Sequence, residues 1–269
     1  MNYGYYMGAA GVLTSMYRQD VAANNLANVE TTGFKPDFTA TIPRPSEKLE
    51  DTLLSIPSNR LIDRLGGGVL LAPNRTGFTQ GGITVTKNAF DLAIEGRGFL
   101  TVSGGGSGTA NVLRYTRDGR MTLDPSGRLI TVNGGHTVLD DSGRPITLDP
   151  ALPFVVASDG SVSQPGAGGG AIARLGFVDI PDTTNLRKVG ENLFAPNNIA
   201  AQSSRRAAAP NPSVGRIIQF ARENSAVDPI KAMMAVQDAA NAVNTTVRVM
   251  QIHDELMNRA INTLGRVTA

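Results

Sequence analysis

The chain has 269 residues, enough for one large domain or two modest ones, and its 25 basic and 23 acidic side chains leave a formal charge of +2. That near balance is a small excess of bases and not the basic footprint that a phosphate backbone requires, so nucleic acid is not an expected main partner. Cysteine is absent, which excludes disulfide frameworks, thiolate nucleophiles and Cys-type zinc sites. The 30 glycines and 15 prolines make the chain turn-rich, as befits a β domain with many short connections. No run of about 18 apolar residues occurs, so no transmembrane helix is expected. Met1 to Tyr17 lacks the basic start of a secretory signal, so any export is expected to proceed without cleavage.

Residues 1–30 predict a helix. Only Arg18 and Asp20 are charged before Glu30. Tyr6, Ala9, Leu13, Met16, Asp20, Ala23 and Ala27 recur three and four apart, a helical stripe. Gly4 and Gly8, with Ala9 and Ala10, form a small-residue face that another backbone could approach closely. Each glycine costs an isolated helix about 1 kcal/mol relative to alanine, so this segment needs a partner. Asn24 to Asn28 ends it, and Thr31-Thr32-Gly33-Phe34-Lys35-Pro36 turns away, with Gly33 able to take positive φ.

Residues 36–80 read as an extended connector with a short helical piece near Glu47 to Leu54. From about 81 the signal is β. Short apolar runs alternate with turn pairs such as Asp118-Gly119, Asp124-Pro125, Ser126-Gly127, Ser142-Gly143, Asp149-Pro150 and Asp159-Gly160, the spacing of an antiparallel all-β domain. Gly104 to Gly108 and Gly166 to Gly170 read as loop tips, and residues 207–215 as a linker.

The last block, 216–269, is assigned to a heptad helix. Asp228-Pro229 is a start signal, an N-cap followed by proline at the first helical position. Met233, Val236, Ala240, Val243, Val247, Met250, Asp254, Met257, Ile261 and Leu264 then alternate three and four apart, a coiled-coil seam about 48 Å long. Asp254 either sets register against a neighbour or turns outward. Val249, Ile252, Leu256 and Ala260 widen the apolar face, and Gly265 is placed to terminate the helix. The N-terminal helix is too short to cover such a seam. Either the two ends form a plain hairpin beside the β domain, or neighbouring copies cover them by a heterologous contact, which generates rings or helical filaments.

The run Asn24-Asn25-Leu26-Ala27-Asn28-Val29-Glu30-Thr31-Thr32-Gly33-Phe34-Lys35 resembles the N-terminal signature of the bacterial flagellar rod and hook axial proteins. Thr79 to Ile83 with Asp91 to Phe99, Tyr115 to Arg120, Gly127 to Leu129, Val189 to Phe194 and Asn224 to Leu264 resemble the family's later blocks, in order, over nearly the whole chain. The resemblance implies an α+β subunit of the basal-body rod, with N- and C-terminal helices forming a coiled-coil inner layer and an antiparallel β domain outside. It also implies uncleaved export through the flagellar type III apparatus. Self-assembly and other rod and hook axial proteins are the implied partners, in a hollow tube that crosses the periplasm and transmits torque. The Tyr6-Met7-Gly8-Ala9-Ala10 start leans to the proximal-rod type, whereas the 40–80 connector is compatible with the distal-rod type. The expected assembly interface is Leu13, Met16, Ala23, Asn24, Asn25, Leu26 and Asn28 with Met233, Val236, Ala240, Val243, Val247, Met250, Met257, Ile261 and Leu264. Thr32, Gly33 and Phe34 form the turn motif.

Catalysis finds little footing. His136 follows Gly134-Gly135 and reads as a surface or turn histidine, and His253, beside Asp254 and Glu255, reads as part of a solvated helix face. Without a histidine cluster neither a zinc site nor a Ser-His pair is persuasive. Each aspartate that might serve a paired-carboxylate glycosidase stands at a turn. No phosphate-loop pattern is present. No enzyme activity, cofactor or small-molecule substrate is expected. The alternative to a structural rod subunit is a β-rich glycan-binding module with a helical stalk.

Overall fold

The computed structural model describes residues 3–45, 67–104, 113–165, 170–197, 206–207 and 215–264. They form an α+β protein in two units: one drawn from the described parts of 1–27, 37–75 and 228–269, the other from those of 28–36 and 76–227.

The first unit is built on two helices, α1 (Tyr3–Ala27) and α2 (Pro229–Leu264). They pack antiparallel: Gly4 faces His253, Gly8 faces Met250 and Gly11 faces Thr246. The approach is as close as the missing side chains allow, since a β-carbon on Gly8 would stand 2.8 Å from Met250 Cγ. Two threonines in the contact are satisfied by their own helices. Thr14 Oγ1 donates to the Ala10 carbonyl and Thr246 Oγ1 to that of Ala242, both at 2.8 Å. The same unit carries a ribbon in which Thr41–Pro43 pairs antiparallel with Val69–Leu71. The helix expected near Glu47 to Leu54 lies outside the described residues.

Helix α2 starts where its cap chemistry dictates. The Asp228 carboxylate accepts from the backbone N–H of Ile230 at 3.0 Å and of Lys231 at 3.3 Å, and Pro229 fills the first helical position. Those bonds, led by that from Lys231, hold the Asp228 carboxyl below the usual carboxylate range. A depressed carboxylate lends stability that is complete above its unfolded pKa and is lost as the pH falls through the lower folded value. In Asp228→Ala, or in wild type at acid pH, the first turn is therefore expected to fray. Faster amide exchange at Ile230 and Lys231, with the middle of α2 unchanged, is the measurement that checks it.

In the second unit six antiparallel strands lie in the order Leu186–Lys188, Leu193–Pro196, Leu113–Thr116, Phe99–Ser103, Phe177–Asp179 and Arg206–Ala207. Val155–Val156, Ser161–Ser163 and Ala173–Arg174 form a smaller sheet, and Met121–Leu123 pairs with Leu129–Thr131. The main core gathers Leu92, Ile94, Leu100, Val102, Leu129, Ile146, Leu175 and Ile217, among others. A second cluster holds Phe99, Tyr115, Val178, Leu186 and Phe194, with Phe78 stacked edge-on against Phe99. The turn aspartates build turns. Asp124 accepts from the N–H of Ser126 and Arg128, and Asp159 from the N–H and hydroxyl of Ser161.

Residues 216–227, grouped above with the C-terminal helix, are mostly strand. Gly215–Gln219 pairs with Leu92–Gly96, and Ala221–Glu223 with Ile83–Val85. The reason is a period of two: Gly215, Ile217, Ala221 and Glu223 are buried while Arg216 and Arg222 face solvent. Helix begins only at Pro229. The linker assigned to 207–215 begins and ends in strand, at Ala207 and Gly215. The glycine-rich tips at 105–108 and 166–169, and Gly265, lie outside the described residues.

Candidate assembly site

The turn that follows α1 is seated in the β unit by a chain of specific contacts. Gly33 sits at φ +68° and donates its N–H to the Glu223 carbonyl at 2.8 Å. A β-carbon there would lie 2.6 Å from the carbonyl carbon and oxygen of Arg117, so a left-handed conformation and a close approach both demand glycine. Asn192 donates from its side chain to the Thr32 carbonyl at 2.9 Å. Lys188 lies 4.1 Å over the Phe34 ring and donates to the Lys35 carbonyl.

Beneath this turn lies a buried charge cluster. Lys35 and Glu223 are each 0% exposed, and their side chains meet at 2.6 Å. Lys35 also donates to the Thr79 carbonyl at 2.7 Å, and Gly81 N–H to the Glu223 carboxylate at 3.0 Å. Arg117 completes the group, 3.5 Å from the other Glu223 oxygen, and donates to the carbonyls of Gly98 and Gly96. Burial pushes the Lys35 ammonium below the ordinary lysine value, opposed chiefly by Glu223. Burial lowers Arg117 as well, opposed by Glu223 and Asp179. The runs quoted above for their resemblance, far apart in sequence, thus converge on one point: Thr32 to Lys35, Thr79 to Gly81, Gly96 to Gly98, Arg117 and Asn192.

The helix unit carries nearly all of the residues expected at the assembly interface. On α1, Leu13, Met16, Ala23 and Asn24 are exposed, whereas Asn25 and Leu26 are half-buried, as is Asn28 just beyond the helix. Asn25 exchanges two hydrogen bonds with the Asp37 backbone, at 2.8 and 3.0 Å. The face of α1 that meets α2 is instead the glycine face, continued by buried Thr14 and Ala22. On α2, Val236, Ala240, Val243, Met250 and Met257 are half-buried, but Met233, Val247 and Ile261 are exposed. The side chain of Leu264 lies outside the described residues. The seam inside the chain is rotated by about one position, to Ala232, Val236, Ala239, Val243, Thr246, Met250, His253 and Met257. Gly4, Gly8 and Gly11 admit His253, Met250 and Thr246, Ala232 and Ala239 are buried farther along, and Met233 and Val247 stay outside. Asp254 is exposed in the single chain. His253 is not on a solvated face: it is half-buried against Gly4. His136 is not at the surface either. It is buried, with Nε2 2.6 Å from the Glu191 carboxylate.

Sequence reasoning missed Lys35, Arg117 and Glu223 as a unit, and Gly11 and His253 as seam residues. No residue-type signal at Ala221-Arg222-Glu223 marks the glutamate as buried, since two charged residues follow one another there.

Comparison with known proteins bears directly on this arrangement. Residues 17–35, the end of α1 and its turn, match the family described as "Flagella basal body rod protein", and residues 93–164 match "Flagellar hook protein FlgE/F/G D1 domain". The flagellar basal-body rod protein FlgF of Caulobacter vibrioides is 34% identical over 269 residues, covering 99% of this chain and 100% of the relative. The chain belongs to the flagellar basal-body rod protein family. The FlgG rod protein of the same Caulobacter is 27% identical over 260 residues, covering 93% of this rod-family chain and 94% of the relative. FlgF of Salmonella typhimurium is 26% identical over 264 residues, with 97% of each chain covered.

Proposed function

We propose that this rod-family chain is a structural subunit of the bacterial flagellar basal body, not an enzyme, and that it belongs to the FlgF or proximal-rod type. The subtype rests on the greater identity to the Caulobacter FlgF than to the FlgG of the same organism, together with the Tyr6 to Ala10 start. The helices α1 and α2 act as the inner, coiled-coil layer of a hollow tube that transmits torque, with the β unit outside. Its partners are further copies and other axial proteins, reached after export by the flagellar type III apparatus without removal of a signal peptide. The glycan-binding alternative has no support among the relatives.

The observation that carries this reading is the apolar surface left over once α1 and α2 have paired. Leu13 is 66% exposed, Met233 56% and Ile252 57%, and Met234, Val249, Leu256 and Ile261 are exposed beside them. Apolar burial is worth roughly 25 cal/mol per Å², so such a row is stabilised by neighbours that cover it. The experiment is removal of the gene, followed by cryo-electron microscopy of basal bodies. Truncated rods and immotile cells, restored by the wild-type chain and found to contain it, are expected; complete rods lacking the chain would refute the assignment.

A further inference from the structure

Two late strands and one late carboxylate complete the β unit. Gly215–Gln219 supplies an antiparallel partner for Leu92–Gly96 over five residue pairs, and it brings Ile217 into the main core. Ala221–Glu223 does the same for Ile83–Val85, with Ala221 fully buried. Glu223 then meets Lys35 across 188 residues of sequence, Gly81 across 142 and Arg117 across 106. A chain that ended before residue 215 would leave the backbone of Leu92–Gly96 without this partner, and would bury Lys35 and Arg117 without the carboxylate that both touch. An unpaired strand and two uncompensated cations each oppose burial. Contacts of such separation also form late, because the intervening chain must be ordered first.

We propose that residues 215–227 are a late-closing latch: the β unit does not close until this segment has been made and Glu223 has inserted between Lys35 and Arg117. The incomplete chain is thereby held open, a state suited to passage through a narrow export channel. That last benefit rests on the rod reading, whereas the order of closure does not.

The test uses the purified full-length chain at concentrations where it is monomeric, so it is independent of rod assembly. Pulsed hydrogen exchange during refolding is read by mass spectrometry on peptides covering 79–82, 99–103 and 215–223. Protection of 99–103 is expected before that of 79–82 and 215–223; simultaneous or reversed order overturns the proposal. The variant Glu223→Gln keeps the shape and removes the charge. It is expected to unfold about a hundredfold faster, with refolding changed by less than about threefold, since a contact absent from the transition state affects only the unfolding limb. A refolding rate that falls with the stability, or an unchanged unfolding rate, overturns it. Should Glu223→Gln not fold, Lys35→Met, which leaves Glu223 its contact with Arg117, is read by the same limbs, with the same sign and a smaller size expected.

Discussion

Gly33→Ala is expected to destabilise the protein by about 3 kcal/mol or more and to lower the melting temperature of the β unit by about 6–12 °C. Two penalties add. An alanine held at φ +68° pays about 1–2 kcal/mol for the left-handed conformation. Its β-carbon would also sit 2.6 Å from the Arg117 carbonyl and 2.8 Å from the Asp118 nitrogen, and backbone atoms cannot rotate away as a side chain can. Relief requires the turn to lift, which would break the bond from Gly33 N–H to the Glu223 carbonyl and disturb the Lys35–Glu223 pair. Gly135→Ala is the control. Gly135 also has positive φ, +64°, but a β-carbon there meets nothing within 4 Å. It is expected to cost only the conformational part, about 1–2 kcal/mol. Thermal and urea unfolding of the two variants side by side measure the difference, and equal losses would show that the seat on Arg117 carries no weight.

Val247→Asp is expected to abolish assembly with little effect on the isolated chain. Val247 is 37% exposed and stands outside the intrachain seam, so an aspartate there stays hydrated until a neighbour covers it. Burying that unpaired charge in an apolar contact costs several kcal/mol, enough to prevent the contact from forming. Met250→Asp is expected to differ in kind. Met250 is half-buried against Gly8, so its carboxylate would force α1 from α2 in the free chain. Circular dichroism should therefore show helix loss for Met250→Asp and not for Val247→Asp, while motility fails in both. Wild-type swimming in the Val247→Asp strain would remove the exposed face of α2 from the proposed interface.

Helix starts, turn aspartates and the antiparallel character of the β unit were legible in the chain because their chemistry is local. Asp228-Pro229 caps α2 with neighbouring atoms alone, and Asp124 closes its turn with Ser126 and Arg128. The rotation of the α2 seam was not legible. The heptad pattern places Val236, Val243, Met250 and Met257 at its centre, but either flank could be buried, and the choice depends on glycines more than 200 residues away. Strands 215–219 and 221–223 were hidden for another reason. They are short, and Phe220, at φ +61° between them, sets a large apolar residue at an exposed position of their alternation. The charge cluster was hidden because Lys35, Arg117 and Glu223 look like surface residues until all three are brought together.

The opposite course of the two helices has a practical corollary. Tyr3 opens α1 beside His253, which Gly4 faces, and α2 runs on for eleven residues, roughly 16 Å, to Leu264. A peptide bridge from Leu264 back to Tyr3 must therefore span that overhang, and one of about six extended residues or more should be tolerated. New ends could be cut at the exposed Ser142-Gly143 turn, giving a permuted chain in which α1 and α2 are one continuous hairpin made in a single stretch of synthesis.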